Sequence, residues 1–124
     1  MRMENEPRDI SERTFSFALD IVRICQNLIV EAGVTRTLGR QLLRSGTSIG
    51  ANMEEAQAAQ SSADFVGKCS IALKESRETI YWLRLIHASG CANGNFELSL
   101  KEADEISRII ASIIVRTRNG TKRK

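Results

Sequence analysis

The stretch RQLLRSGTSIGANMEEAQAAQ, residues 40–60, decides how this chain folds, because it carries two conflicting signals. Its centre, GTSIG from Gly46 to Gly50, spells G-x-S-x-G. That is the nucleophile elbow of hydrolases, in which a strand enters a tight turn and holds the serine hydroxyl clear of a sheet. Its flanks read as helix. Leu38, Leu42, Ser45, Ile49, Asn52, Ala56 and Ala59 form one row at heptad spacing. Gly39, Leu43, Gly46, Gly50, Met53, Gln57 and Gln60 form the row beside it. The residues before Ser48 show no strand-like alternation. Ser48 shares a polar stripe with Gln41, Arg44 and Glu55, and the sole histidine, His87, lies on another segment. The helical reading wins, and no catalytic residue is expected. Each mid-helix glycine costs about 1 kcal/mol relative to alanine, a cost that closer packing can offset. Gly39, Gly46, Gly50, Ala51, Ala56, Ala58 and Ala59 thus make this a thin helix, suited to close approach by another backbone.

Outward from this segment, three more stretches keep a helical period. The spacing predicts helices over about 11–31, 35–61, 63–89 and 99–117, with a disordered segment over 1–10 and a disordered basic tail over 119–124. In the first, Phe15, Ala18, Val22, Cys25 and Ile29 form one apolar row, with Phe17, Ile21, Ile24 and Leu28 about 100° away. Gly33 is read as its C-terminal stop. In the third, Ser62 is the candidate N-cap and Gly90 the stop. Its core row is Phe65, Cys69, Ala72, Ser76, Thr79, Leu83 and Ile86. The fourth opens on Ser99-x-x-Glu102, a capping-box pattern, and continues through Ala103, Ile106, Ile110 and Ile113. Short connections between four helices imply an all-α, antiparallel up-down-up-down four-helix bundle. Helices two and three, at about 40 Å against about 30 Å for the others, should overhang their partners by about two turns.

Composition narrows the class. The 124 residues suit one globular domain, with 42% hydrophobic and 27% charged residues and a single proline, Pro7. No apolar run approaches a membrane span, and MRMENEPRDISER lacks the apolar core of a signal peptide. The expected setting is therefore the cytoplasm, with Cys25, Cys69 and Cys91 as reduced thiols and no membrane partner. The net charge of +3 is local. Without Arg116, Arg118, Lys122, Arg123 and Lys124, the rest of the chain carries 13 basic against 15 acidic residues. A generally DNA-coating surface does not follow from such a body.

Other chemistry finds little support. Glu-x-x-His pairing fails because Arg84 stands three before His87, and Gly90 separates His87 from Cys91. No metal, cofactor or small-molecule substrate is expected. Opposite its core row the third helix carries Ile71, Glu75, Glu78, Trp82 and Leu85, again at heptad spacing. Apolar residues on an outer stripe point to a subunit interface. With Gly46 and Gly50, this stripe predicts a homo-oligomer held through helices two and three. Arg36, Arg40 and Arg44 at i, i+4, i+8 and Arg77 and Arg84 at i, i+7 are candidate phosphate contacts, together with Arg116, Arg118, Lys122, Arg123 and Lys124 of the tail.

RTFSFALDIVRICQNL, then LLRSGTSIGANMEEAQ followed by DF, the ALKE-R-E stretch and YWL, resembles the bacterial four-helix-bundle family of 23S rRNA intervening-sequence proteins. The resemblance covers about Arg13 to Arg116. It implies a small cytoplasmic bundle that assembles into a homopentameric ring, with no catalytic residues to carry over. A related branch includes the basic accessory protein of diversity-generating retroelements, which binds nucleic acid and a reverse transcriptase. Two readings follow: a non-enzymatic oligomeric scaffold or adaptor with a protein partner, or an accessory module binding RNA or DNA through the arginine stripes and the tail.

Overall fold

The computed structural model describes residues 7–122, with side chains over 9–120. Its elements are α1 (Pro7–Ile29), α2 (Val34–Gln57), α3 (Ser62–Ser89) and α4 (Glu97–Lys122). No strand occurs among the described residues, so the elbow reading of GTSIG has no sheet to stand on. Among these residues no helix is long and apolar enough to cross a membrane.

Several boundaries shift from the sequence expectation, each for a local reason. Residues 7–10, read as disordered, form the first turn of α1. Proline is accommodated there because its missing N–H has no intrahelical acceptor in the first turn, and Ile10 is fully buried. Helix α4 starts at Glu97, not Ser99, because Asn95 Oδ1 accepts from the Glu97 amide at 2.9 Å. It runs to Lys122, so 119–122 of the expected tail are helical. The expected disorder of residues 1–6 and 123–124 lies outside the described residues. Ser61, not Ser62, caps α3: its hydroxyl accepts from Asp64 N at 3.0 Å, and Asp64 reaches back to Gln60 N at 3.3 Å. Gly33 stands at the start of α2 with φ 73°, four residues beyond the end of α1. Gly90 ends α3 in the left-handed region, as its position implies. The helices are 23, 24, 28 and 26 residues long. The expected two-turn overhang therefore shrinks, since α2 exceeds α1 by one residue and α3 exceeds α1 by five and α4 by two.

The glycines of α2 set the closest helix pair. A Cβ at Gly39 would stand 2.8 Å from Leu28 Cβ, one at Gly46 2.8 Å from Ile21 Cγ2, and one at Gly50 3.2 Å from the Thr14 carbonyl oxygen. Residue numbers fall along α1 as they rise along α2, and Thr14, Ile21 and Leu28 repeat every seven residues. This match selects which α1 row is core. Phe17, Ile21 and Leu28 of one row are buried, together with Ile10 and with Cys25 of the other, whereas Phe15 (61% exposed) and Val22 (38%) of that other row face out. That corrects the first row's place. Two apolar rows 100° apart satisfy the same period, and only the glycine groove distinguishes them.

Helices α2, α3 and α4 close the core with Leu42, Ile49, Met53, Leu83, Ile86, Ile106 and Ile110, all fully buried. Hydroxyls cross it in a polar layer. Thr79 Oγ1 donates to Ser45 Oγ at 3.0 Å between α3 and α2, with both side chains inaccessible. Ser76 and Ser107 hydroxyls meet at 2.7 Å between α3 and α4. Each hydroxyl also lies within bonding distance of a carbonyl on its own helix, so none is stranded by a change of partner. At the seam between α1 and α4, Arg13 Nε and Nη2 hold both Glu102 oxygens at 2.7 and 2.8 Å, and Nη2 reaches Glu105 at 3.0 Å. Glu102 is thus an interhelix anchor, not half of a capping box.

Candidate assembly surfaces and arginine stripes

The candidate phosphate-binding arginines do not form one free stripe. Arg36 Nε donates to the Ile29 and Glu31 carbonyls at 3.0 and 2.8 Å, so it closes the C-terminal end of α1. Arg44 lies across α3, bonded to Glu75 at 3.2 Å and to Glu78. It repeats the arrangement of Arg13, one guanidinium over two carboxylates three residues apart on a neighbouring helix. The sequence reading missed this use, because an i, i+4, i+8 run names the helix face and not what packs on it. Arg40, Arg77 and Arg84 are exposed and make no ion pair with a described residue. Arg116 has a partner of its own, and Arg118 is exposed. Lys122 closes α4, while Arg123 and Lys124 lie outside the described residues.

The interface candidates separate in the same way. Gly46 and Gly50 are buried inside the single chain against α1, so they cannot serve a contact between subunits. Glu75 and Glu78 are engaged by Arg44. Trp82 is half-buried, its indole N–H on Glu78 Oε2 at 3.1 Å and its ring edge-on to Tyr81 at 5.1 Å. Ile71, Tyr81 and Leu85 remain outside, with Ile71 44% and Tyr81 53% exposed. A second apolar row stands on α1: Phe15, Leu19 and Val22, with Leu19 42% exposed. In the sequence Phe15 and Val22 stand in an apolar row with Ala18, Cys25 and Ile29, and Leu19 stands in neither row.

The chemistry of the remaining polar groups is local. Ser48 Oγ bonds to the Arg44 carbonyl at 2.6 Å in the middle of α2, with its hydroxyl turned onto its own helix. His87 is exposed and stands edge-on to Phe96 at 6.2 Å. A cleft of about 280 Å³ at the end of the bundle is bounded by Asn27, Glu31, Thr35 and Cys91. Thr35 Oγ1 donates to the Cys91 carbonyl there at 3.0 Å. The described residues bring no three His, Cys, Asp or Glu side chains together as a metal site.

The three thiols differ by burial. Cys25, which donates to the Gly39 carbonyl, and Cys69 are buried, and desolvation pushes both up to about 11. Cys91 is half-exposed. A thiol reagent at pH 8 should therefore titrate one group quickly and release two more only on unfolding. The same shift gives a pH effect. The folded chain holds the Cys25 and Cys69 protons to higher pH than the unfolded chain does. Stability should fall as pH rises from about 9 toward 11 and be unaffected by these groups below that window. A Cys25→Ser/Cys69→Ser variant with the same alkaline slope in denaturant titrations rules this out.

A model of the family described as 23S rRNA-intervening sequence protein matches residues 6–112. A solved structure of a protein of unknown function from the S23 ribosomal protein family of Bacteroides thetaiotaomicron VPI-5482 is 38% identical. The match has a TM-score of 0.80 and covers 90% of this chain and 98% of that one. No curated protein matches.

Proposed function

The chain belongs to the 23S rRNA-intervening sequence protein family, and from that premise we propose that it is a non-catalytic building block that self-associates into a ring and works as a scaffold. The bundle would alternate up-down-up-down, a reading supported by the pairs Ile21–Gly46, Ser45–Thr79 and Ser76–Ser107 between successive helices. The observation that carries self-association is the pair of exposed apolar rows, Phe15–Leu19–Val22 and Ile71–Tyr81–Leu85. A protein that worked alone would leave both wet, whereas association removes them from water. A reducing cytoplasm suits a chain whose three cysteines are free. Five copies are what the family resemblance implies. Light scattering at micromolar concentration should give a multiple of the 13.8 kDa chain mass, and a lone 13.8 kDa species overturns the proposal.

Nucleic-acid binding is the second reading, supported by the exposure of Arg40, Arg77 and Arg84. Repeated around a ring, these would make a positive surface for phosphates. If it holds, structured RNA should bind with an affinity that falls steeply with salt. Changing Arg40, Arg77 and Arg84 together to Gln should then flatten that slope and weaken binding by about tenfold or more. The same change at Arg36 and Arg44 should act chiefly on stability, because those groups hold helices together. No RNA retained at low salt by micromolar protein eliminates this reading.

A further inference from the structure

Helix α3 sorts its charges by side. Glu75 and Glu78 turn to α2, where Arg44 holds them, and Asp64 lies on that edge too, bonded to the Gln60 amide. Half-buried Lys68 shares that edge. Ser76 marks the opposite one, since its hydroxyl meets Ser107 of α4. Exposed Arg77 and Arg84 stand about 80–100° around the helix from Ser76, on the side away from α2, and Lys74 points straight outward. Helix α4 divides likewise. Glu102 and Glu105 turn to Arg13 of α1, and Arg116 follows them on that edge with a partner of its own. Lys101, Arg108 and Arg118 stand on the outer side of Ser107, together with Glu97 and Asp104. The side shared by α3 and α4 therefore carries six cations (Lys74, Arg77, Arg84, Lys101, Arg108 and Arg118) against two carboxylates (Glu97 and Asp104), a net of +4.

Levels follow from the same hydrogen bond. With Ser76 opposite Ser107, Arg84 and Lys101 come within about 3 Å of one height. Arg77 and Arg108 come within about 3 Å of another, about 10 Å away. Beside these two rungs run Leu73, Ile80 and Leu100, half-buried apolar side chains along the seam between α3 and α4. We propose that this side docks an acidic amphipathic helix of a protein partner, its apolar row on Leu73, Ile80 and Leu100 and its carboxylates on the rungs. The proposal rests on the scaffold reading above and names the chemistry of the partner. Spacing favours a helix. A rise of about 10 Å is seven residues of α-helix, so acids at i and i+7 meet both rungs from one row, with apolar residues between them. Charge favours separate carboxylates over a chain of phosphates. Asp104 stands between the rungs, bonded to Arg108 at 2.9 Å. A continuous phosphate backbone would run against it, whereas a heptad row of acids leaves a gap there. Phosphates also gain nothing from the apolar seam, while a helix with apolar anchors does.

The test is binding of a synthetic helix of about 14 residues, labelled for fluorescence anisotropy, with leucines and glutamates in that pattern. At about 0.15 M salt it should bind, and added salt should weaken it. Changing its leucines to serine should weaken binding about tenfold or more, and changing its glutamates to lysine should abolish it. On the protein, Arg77→Ala/Arg84→Ala and Lys101→Ala/Arg108→Ala should each weaken binding about tenfold, while Arg40→Ala on α2 leaves it unchanged. All five side chains are exposed, so the melting temperature should stay within about 3 °C. Equal binding of the serine peptide makes this side a general anion sink and overturns the proposal. A short RNA duplex that displaces the helix at lower concentration than unlabelled helix does also overturns it, because the site then belongs to phosphates. Failure of the acidic helix to bind an assembled chain overturns the proposal and leaves the scaffold reading standing. A lone 13.8 kDa species in light scattering overturns the scaffold reading and leaves the peptide result as it is.

Discussion

Replacing Gly46 with leucine should destabilise the protein by about 3 kcal/mol or more, lowering the melting temperature by about 12 °C. The first added carbon would stand 2.8 Å from Ile21 Cγ2 and 3.0 Å from Cγ1. Ile21 is fully buried and β-branched, so it cannot swing aside without leaving its only comfortable rotamer. Helix propensity works the other way. Gly46→Ala gains up to about 1 kcal/mol from propensity but meets the same contact, so a net loss of about 1 kcal/mol is expected. The coupling is specific and measurable. Ile21→Ala alone should cost about 2–5 kcal/mol, yet combined with Gly46→Ala it should cost less than the sum by about 1 kcal/mol or more. Denaturant unfolding of the four proteins decides it. Strict additivity means that α1 does not rest on α2 at this glycine, and the choice of core row falls with it.

Replacing Phe96 with alanine should cost about 3–4 kcal/mol, a fall of roughly 12–16 °C in melting temperature. By sequence this residue belongs to a loop, CANGNFEL, and has no periodic neighbours. In the structure it is 4% exposed, packed at the end of the core beneath His87 and Gly94. Its carbonyl accepts from Leu100 N at 2.9 Å, starting α4 while its ring seals the bundle end. Truncation leaves a cavity lined by atoms on the ends of two helices. A cost below about 1 kcal/mol in thermal denaturation indicates that the end collapses freely and that the ring is not core.

Both predictions turn on contacts distant in sequence, and there the limits of a one-dimensional reading lie. The existence of four helices, the rejection of the serine elbow and the buried hydroxyls at Ser45, Ser76 and Thr79 were legible, because each depends on a period that one helix displays by itself. Helix ends were less so. Ser99 with Glu102 and Asn95 with Glu97 are both acceptable local starts, and the Arg13 guanidinium draws Glu102 across to α1. The arginines were legible as a face but not by occupation: Arg36 and Arg44 are consumed by a helix end and by Glu75 and Glu78, partners 5 to 34 residues away.

By itself the sequence determined the class, through a 3.6-residue period that persists across glycines no strand would place there, and it marked the thin side of α2. Only the tertiary structure decided which neighbour uses that side. Gly46 and Gly50 are spent on α1 within one chain, and this turns Phe15, Leu19 and Val22 outward. The physical reason is that periodicity measures angle around one axis, whereas burial depends on the height and distance of a second.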